Sequence, residues 1–85
     1  MSFNKEKIQK QVNEIIIRNL CVAPSEINNP ISLEDLSADE LDIIEIVVDI
    51  EEFFGIEISD EEADNFVLVE DIYNIVENRL KEKEQ

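Results

Sequence analysis

Apolar residues recur every three or four positions in three stretches of the chain, a spacing typical of helices that bury one side. The first stretch follows Ser2 or Asn4, either of which can cap a helix, and ends at Cys21. A long loop then runs through Pro24 and Pro30. The residues expected to face the core from this part are Ile8, Val12, Ile15, Ile16 and Leu20 in the helix, and Ile27, Ile31, Leu33 and Leu36 in the loop.

The next stretch predicts a central helix with two apolar sides. Ser37 and Glu40 have the spacing of a capping box at its start, and Gly55 suits the left-handed position that ends a helix. At about 3.6 residues per turn, the side expected to face the core carries Ile43, Ile46, Val47, Ile50 and Phe54. Nearly opposite lie Leu41, Ile44 and Val48. One core cannot bury both sides, so the second set indicates either a partner surface or residues covered by a loop.

Two further helices are predicted after the central one. Ser59 and Glu62 form a second possible capping box, which predicts a short third helix ending near Asn65. A fourth helix runs from Val69 to about Lys81. The residues expected on its inner side are Val69, Ile72, Val76 and Leu80. The predicted fold class is therefore all-α, a four-helix bundle of three longer helices and one short helix, with a long first loop.

Charge narrows the possible partners. The chain has 85 residues, which suggests one small domain spanning 1–85, and it carries 22 acidic against 7 basic residues, a net charge of -15. No positive charge occurs between Asn19 and Asn78. Such a field repels nucleic acid and anionic membranes and attracts basic patches on other proteins. We expect a monomer that binds proteins with basic patches, with neither nucleic acid nor membrane as a partner.

Catalytic chemistry finds little support in the composition. The chain has no histidine and a single Cys21, which we expect to be a small apolar filler. The acidic run of Asp60, Glu61, Glu62 and Asp64 lacks a calcium-loop pattern and suggests a solvated face, so no metal site is predicted and a divalent-ion buffer is only a third interpretation. No apolar run has the length of a signal peptide or a membrane span. The prediction is a cytoplasmic protein that is not an enzyme.

Three segments carry a family resemblance. Residues 34–42, Glu-Asp-Leu-Ser-Ala-Asp-Glu-Leu-Asp, together with residues 50–63 and 69–76, resemble an acyl carrier protein over essentially the whole chain. In that family the central helix begins Gly-Ala-Asp-Ser-Leu-Asp, and the serine hydroxyl is esterified to 4'-phosphopantetheine, whose thiol carries the acyl chain. Here Glu40 stands at the place of that serine, and the residues that match on either side are Asp39, Leu41 and Asp42.

The glutamate changes what the resemblance implies. A carboxylate cannot replace the hydroxyl that forms the phosphodiester, so no cofactor is expected on Glu40. Ser37 offers another hydroxyl one turn upstream but lacks the leucine that follows the family's serine. The first hypothesis is thus an acidic docking module of the carrier type that carries no acyl group. The alternative is a true acyl carrier protein of fatty acid or polyketide synthesis, in which Glu40 is a variant or engineered residue.

The resemblance and the exposed pattern together predict the functional residues. The attachment position is Glu40, which is not competent for modification as it stands. Partner enzymes of fatty acid or polyketide synthesis are expected to contact Asp39, Leu41, Asp42, Ile44, Glu45, Val48, Glu51 and Glu52. In carrier proteins the position matching Ile72 is often alanine. The bulkier side chain here suggests an interior that is packed permanently rather than open to cargo.

Overall fold

The structure, a computed structural model, describes residues 4–28 and 30–83. Its helices are α1 (Lys5–Leu20), α2 (Glu40–Phe54), α3 (Asp60–Asp64) and α4 (Val69–Lys83). A short 3₁₀ turn, Pro24–Glu26, lies within the long loop between α1 and α2. The predicted all-α fold, with three longer helices and one short helix, is confirmed.

Polar and left-handed residues set the two ends of α1. The Asn4 side chain accepts a hydrogen bond of 2.8 Å from the Lys7 N–H, so Asn4 is the N-cap. The other predicted cap, Ser2, lies outside the described residues. Cys21 ends the helix with a φ of 56° and donates its N–H to the Ile17 carbonyl. Its side chain is exposed, so the prediction of a buried filler was wrong. The left-handed turn takes this residue away from the core-facing side of the helix.

The start of α2 corrects the predicted cap. Asp39 accepts the Asp42 N–H at 2.9 Å, and the Asp42 carboxylate accepts the Asp39 N–H at 3.1 Å, which forms a reciprocal capping box. The prediction that Ser37 and Glu40 form this box was wrong. Ser37 has a φ of 62° and donates its N–H to the Glu34 carbonyl in a turn that precedes the helix. Because of that turn, the N-cap of α2 lies two residues later than predicted.

Removing the observed cap should cost stability. Asp39→Ala is expected to lower the free energy of unfolding by about 1 kcal/mol, because the Asp42 N–H loses the carboxylate that accepts its hydrogen bond. Urea unfolding followed by circular dichroism measures the loss, at high salt so that removing a negative charge contributes little. Ser37→Ala is the control, with an expected change within about 0.5 kcal/mol. If Ser37→Ala lowered the free energy of unfolding more than Asp39→Ala, Ser37 would be the cap, as the sequence predicted.

The core forms where the apolar sides of α1, α2 and α4 meet. Most of the predicted inner residues are buried. The exceptions are half-buried at the edge of the core, namely Leu20, Ile27, Ile31, Ile43 and Leu80. Ile50 and Ile72 are 0% and 1% exposed. The buried set comprises Ile8, Val12, Ile15, Ile16, Leu33, Leu36, Ile46, Val47, Ile50, Phe54, Ile56, Ile58, Phe66, Val69, Ile72, Tyr73 and Val76. The inner side of α2 is thus used for packing, which leaves its other side available.

Backbone hydrogen bonds hold the long loop in place. The Leu33 N–H donates to the Val67 carbonyl at 2.9 Å, and the Val69 N–H donates to the Ile31 carbonyl at 3.0 Å. Leu33 is also buried, and its carbonyl accepts the Ala38 N–H just before α2. These contacts join the loop to the segment before α4, and they fix the point at which α2 begins.

The short helix α3 is held at its first turn. Ser59 and Glu62 form the predicted capping box, with the Ser59 hydroxyl accepting the Glu62 N–H at 3.1 Å. Arg79 of α4 pairs with the Glu62 carboxylate. The Ser59 N–H, and then the Arg79 side chain, lower the pKa of Glu62. Near the end of α4, Lys83 donates to the Gly55 carbonyl at 2.9 Å. The two cations therefore tie α4 to the connection between α2 and α3.

Candidate docking face and attachment position

Three of the four large apolar side chains that α2 exposes to solvent belong to the predicted outward set. Leu41, Ile44 and Val48 are 71%, 53% and 44% exposed. On the same helix, Ile46 and Ile50 are 1% and 0% exposed. The three exposed residues, called here the apolar stripe, therefore lie on the outer side, as the helical spacing predicts. No loop of the described residues covers them, so the covered alternative is not what the chain adopts.

Carboxylates accompany the apolar stripe along α2. Glu45 and Glu52 are exposed beside it. Asp39 is also exposed, although one of its oxygens is used to cap the helix. Asp42 is half-buried and returns the capping hydrogen bond. Glu45 and Glu52 are thus free to act through their charge, whereas Asp39 and Asp42 also hold the start of the helix.

Glu51 lies in a different setting from the other predicted contact residues. It is half-buried, and its carboxylate accepts the Ile58 N–H at 2.9 Å. That hydrogen bond links α2 to the segment before α3. Helical spacing alone placed Glu51 near the apolar stripe, because a sequence pattern does not show a contact with the following loop. The Glu51 carboxylate therefore contacts the connection between α2 and α3.

Sequence reasoning missed a positive charge near α2. Asp49 accepts a hydrogen bond of 2.9 Å from the Asn19 side chain, and Arg18 lies 3.8 Å from the same carboxylate oxygen. Both partners come from the last turn of α1. The Arg18 side chain is 68% exposed, so the ion pair itself adds little stability. It does place a cation beside the Asp49 carboxylate of α2.

Glu40 is the first residue of α2 and is exposed. Its side chain borders a hollow of about 450 Å³ between the start of α2 and α3, called here the α2–α3 hollow. The residues that line it are Ala38, Asp39, Glu40, Ile43, Ile44, Asp60, Ala63, Asp64 and Phe66. Ile44 belongs to both the hollow and the apolar stripe, so the two surfaces are continuous.

Neither a metal cluster nor a membrane span occurs in the described part of the chain. Within residues 4–28 and 30–83, no three side chains of the metal-binding types are placed to hold one ion. In the acidic run on α3, Glu62 is paired with Arg79. None of the four helices combines the length and hydropathy that crossing a bilayer requires.

The chain matches known proteins over most of its length. Residues 10–76 match a family model described as a phosphopantetheine attachment site. An acyl carrier protein of Campylobacter hominis is 39% identical over 79 residues, which cover 91% of this chain and 99% of the relative. The chain belongs to the acyl carrier protein family. The acyl carrier protein of Buchnera aphidicola subsp. Baizongia pistaciae is 42% identical, over 84% of this chain and 92% of that protein.

A solved acyl carrier protein also shares the fold. The crystal structure of the protein from Thermotoga maritima superposes with a TM-score of 0.82 at 25% identity, and the match covers 93% of each chain. Four helices in this order, with the long first loop, are therefore the family's arrangement. The acyl carrier family consists of carriers rather than catalysts.

The residue predicted at the attachment position does not fit the family's prosthetic group. That Glu40 stands where the family has the serine whose oxygen forms the phosphodiester stays a prediction from the sequence motif. A carboxylate at the first position of α2 offers no hydroxyl for that bond, although it interacts favourably with the helix dipole there. Ser37 has a hydroxyl, but it lies in the left-handed turn before the helix. It does not occupy the place where the helix presents Glu40.

Proposed function

We propose that this member of the acyl carrier protein family is a docking module that engages enzymes without carrying an acyl group. The observation that carries the proposal is the exposure of Leu41, Ile44 and Val48 on a helix whose other side is fully used in the core. An apolar row bordered by like charge is typical of a surface that binds a partner. The proposed partners are enzymes of fatty acid or polyketide synthesis that carry basic patches on their surface.

Charge and apolar contact play different parts in this proposal. The net charge of -15 attracts a basic patch over a distance, which raises the rate of encounter. Glu45 and Glu52 then lie at the rim of the contact, where charges steer binding more than they hold it. The apolar stripe enters a groove of the partner and loses its contact with water. Ile44 and Val48 are the proposed anchors, and the module acts as a monomer.

Glu40 supports the non-carrying part of the proposal. An unmodified module has no phosphopantetheine thiol to carry an acyl group, so its activity is confined to binding. The second candidate is a true acyl carrier protein, which the relatives favour, in which Glu40 is a variant of the usual serine. Both candidates use the same docking surface. They differ in whether any form of the natural chain is modified.

Val48→Ala should chiefly raise the dissociation rate. The expected loss of affinity is about 1–2 kcal/mol if this side chain is a central anchor. Surface plasmon resonance with a purified bacterial ketosynthase of fatty acid synthesis measures both rates. Val67→Ala is a matched control, since Val67 is a valine outside α2 that is 62% exposed. Equal losses at Val48 and Val67 would contradict docking through α2.

Glu45→Lys separates steering from anchoring in the same assay. It should slow association and flatten its salt dependence, with a smaller effect on dissociation, because Glu45 is exposed beside the apolar stripe. A variant that changes dissociation alone would remove the steering step from the proposal.

A further inference from the structure

Arg18, in the last turn of α1, borders the acidic side of α2. Its Nη2 atom lies 3.8 Å from the Oδ2 atom of Asp49. Asp49 comes four residues after Glu45 and three before Glu52, so the three carboxylates share one side of the helix. Glu45 and Glu52 form the rim of the proposed docking contact. Arg18 therefore stands beside the middle of that rim.

Arg18 is held only loosely at this place. The Asp49 oxygen that it faces already accepts a hydrogen bond of 2.9 Å from the Asn19 side-chain amide. The 3.8 Å between Arg18 and the same oxygen is longer than a hydrogen bond, and the Arg18 side chain is 68% exposed. Within residues 4–28 and 30–83, its guanidinium group donates no hydrogen bond. Its N–H donors are therefore available to a group outside the chain.

We propose that Arg18 binds a carboxylate of the docked enzyme, an inference that rests on the proposed docking function. A guanidinium group is planar and can donate two parallel hydrogen bonds to the two oxygens of a carboxylate. The group that fits is an aspartate or glutamate side chain beside the basic patch that meets Glu45 and Glu52. The enzyme surface that matches this side of α2 is thus basic, with one acidic side chain placed to reach α1. Arg18 thereby fixes how the enzyme is oriented along α2.

This contact selects among enzymes that carry basic patches. A patch of positive charge alone places a cation against Arg18, and like charges brought together oppose binding. An enzyme with a carboxylate at that place avoids the repulsion and gains an ion pair. The phosphates of a nucleic acid fit Arg18 less well, because the net charge of -15 repels a polyanion. The occupant is therefore a single carboxylate on a surface that is otherwise basic.

Arg18→Gln tests the contact through the direction of its effect. Removing a positive charge makes the chain more acidic, so the overall field alone should strengthen binding to a basic enzyme. If Arg18 binds a carboxylate, the same variant should instead weaken binding about two- to fivefold, the factor expected for one exposed ion pair. Surface plasmon resonance with the same bacterial ketosynthase measures the rates at low and at high salt. The loss should lie chiefly in faster dissociation and should shrink at high salt, which screens the ion pair.

Lys5→Gln is the matched control for the overall field. Lys5 is exposed at the first position of α1, about 20 Å along the helix axis from Arg18, and its replacement removes the same charge. It should leave the dissociation rate unchanged. Equal effects of Lys5→Gln and Arg18→Gln would overturn the proposal. A loss at Arg18 that high salt does not reduce would also overturn it, because the occupant would then be an uncharged group of the enzyme.

Two more variants separate this contact from folding and from docking itself. Arg18→Lys keeps the charge and should restore most of the affinity, whereas binding as weak as that of Arg18→Gln would overturn the ion pair. The urea midpoint of Arg18→Gln should match that of the unsubstituted chain, since the side chain is 68% exposed. Val48→Ala should weaken binding whichever result Arg18→Gln gives. Failure of the Arg18 contact is therefore distinguishable from failure of docking through α2.

Discussion

Glu40→Ser is expected to turn a chain that accepts no prosthetic group into one that is modified completely. The hydroxyl would stand at the first position of α2, between Asp39 and Leu41, as the family motif requires. Incubation with coenzyme A and a broad-specificity phosphopantetheinyl transferase, followed by intact-protein mass spectrometry, measures the change. The expected mass increase corresponds to one phosphopantetheine, and peptide mapping should place it on residue 40.

The unsubstituted chain and Glu40→Gln are the controls for this experiment. Both lack a hydroxyl at residue 40 and should keep their unmodified mass. An increase in the unsubstituted chain, mapped to Ser37 or to any other serine, would contradict the non-carrying proposal. Failure of Glu40→Ser to react would instead show that the surface around the start of α2 no longer fits the transferase. The two outcomes therefore test the chemistry and the docking surface separately.

The interior of the bundle agrees with a module that only docks. Ile72 is 1% exposed and lies in the same core as Val76 of α4. A bulky side chain at this position fills space that a cargo chain would need. Protein interiors are close-packed, and cores accept volume changes with a cost. The buried Ile72 therefore supports the non-carrying proposal.

Helical spacing predicted the fold and the two sides of α2 well. The reason is physical, since a helix buries a continuous side and the period of 3.6 residues identifies which residues share it. As this spacing predicts, Ile46 and Ile50 are buried, and Ile44 and Val48 are exposed. The family motif added the prediction that Glu40 is the attachment position, which no periodic pattern reveals.

Helical spacing did not predict the contacts at the two ends of α2. At the start of α2, the sequence analysis predicted a capping box of Ser37 and Glu40 alone. The structure selects Asp39, since the turn that buries Leu36 puts Ser37 in a left-handed conformation. The hydrogen bond from the Ile58 N–H to the Glu51 carboxylate joins the helix to the loop that follows it, so helical spacing does not predict it.

Ile50→Ala should destabilise the fold far more than Ile44→Ala. Ile50 is 0% exposed and Ile44 is 53% exposed on the same helix, so the pair compares the same substitution on opposite sides. Emptying the buried site should lower the free energy of unfolding by about 2–5 kcal/mol. The exposed site should lose less than about 1 kcal/mol, because its side chain is only partly removed from water on folding.

Urea unfolding of both variants at the same ionic strength, followed by circular dichroism, measures this difference. The midpoint should fall sharply for Ile50→Ala and little for Ile44→Ala, while the slope stays the same. Binding should show the opposite ranking, since Ile44 lies in the apolar stripe and Ile50 does not. If Ile44→Ala were the more damaging to stability, the apolar stripe would be part of the core. The docking proposal would then rest on residues that no partner could reach.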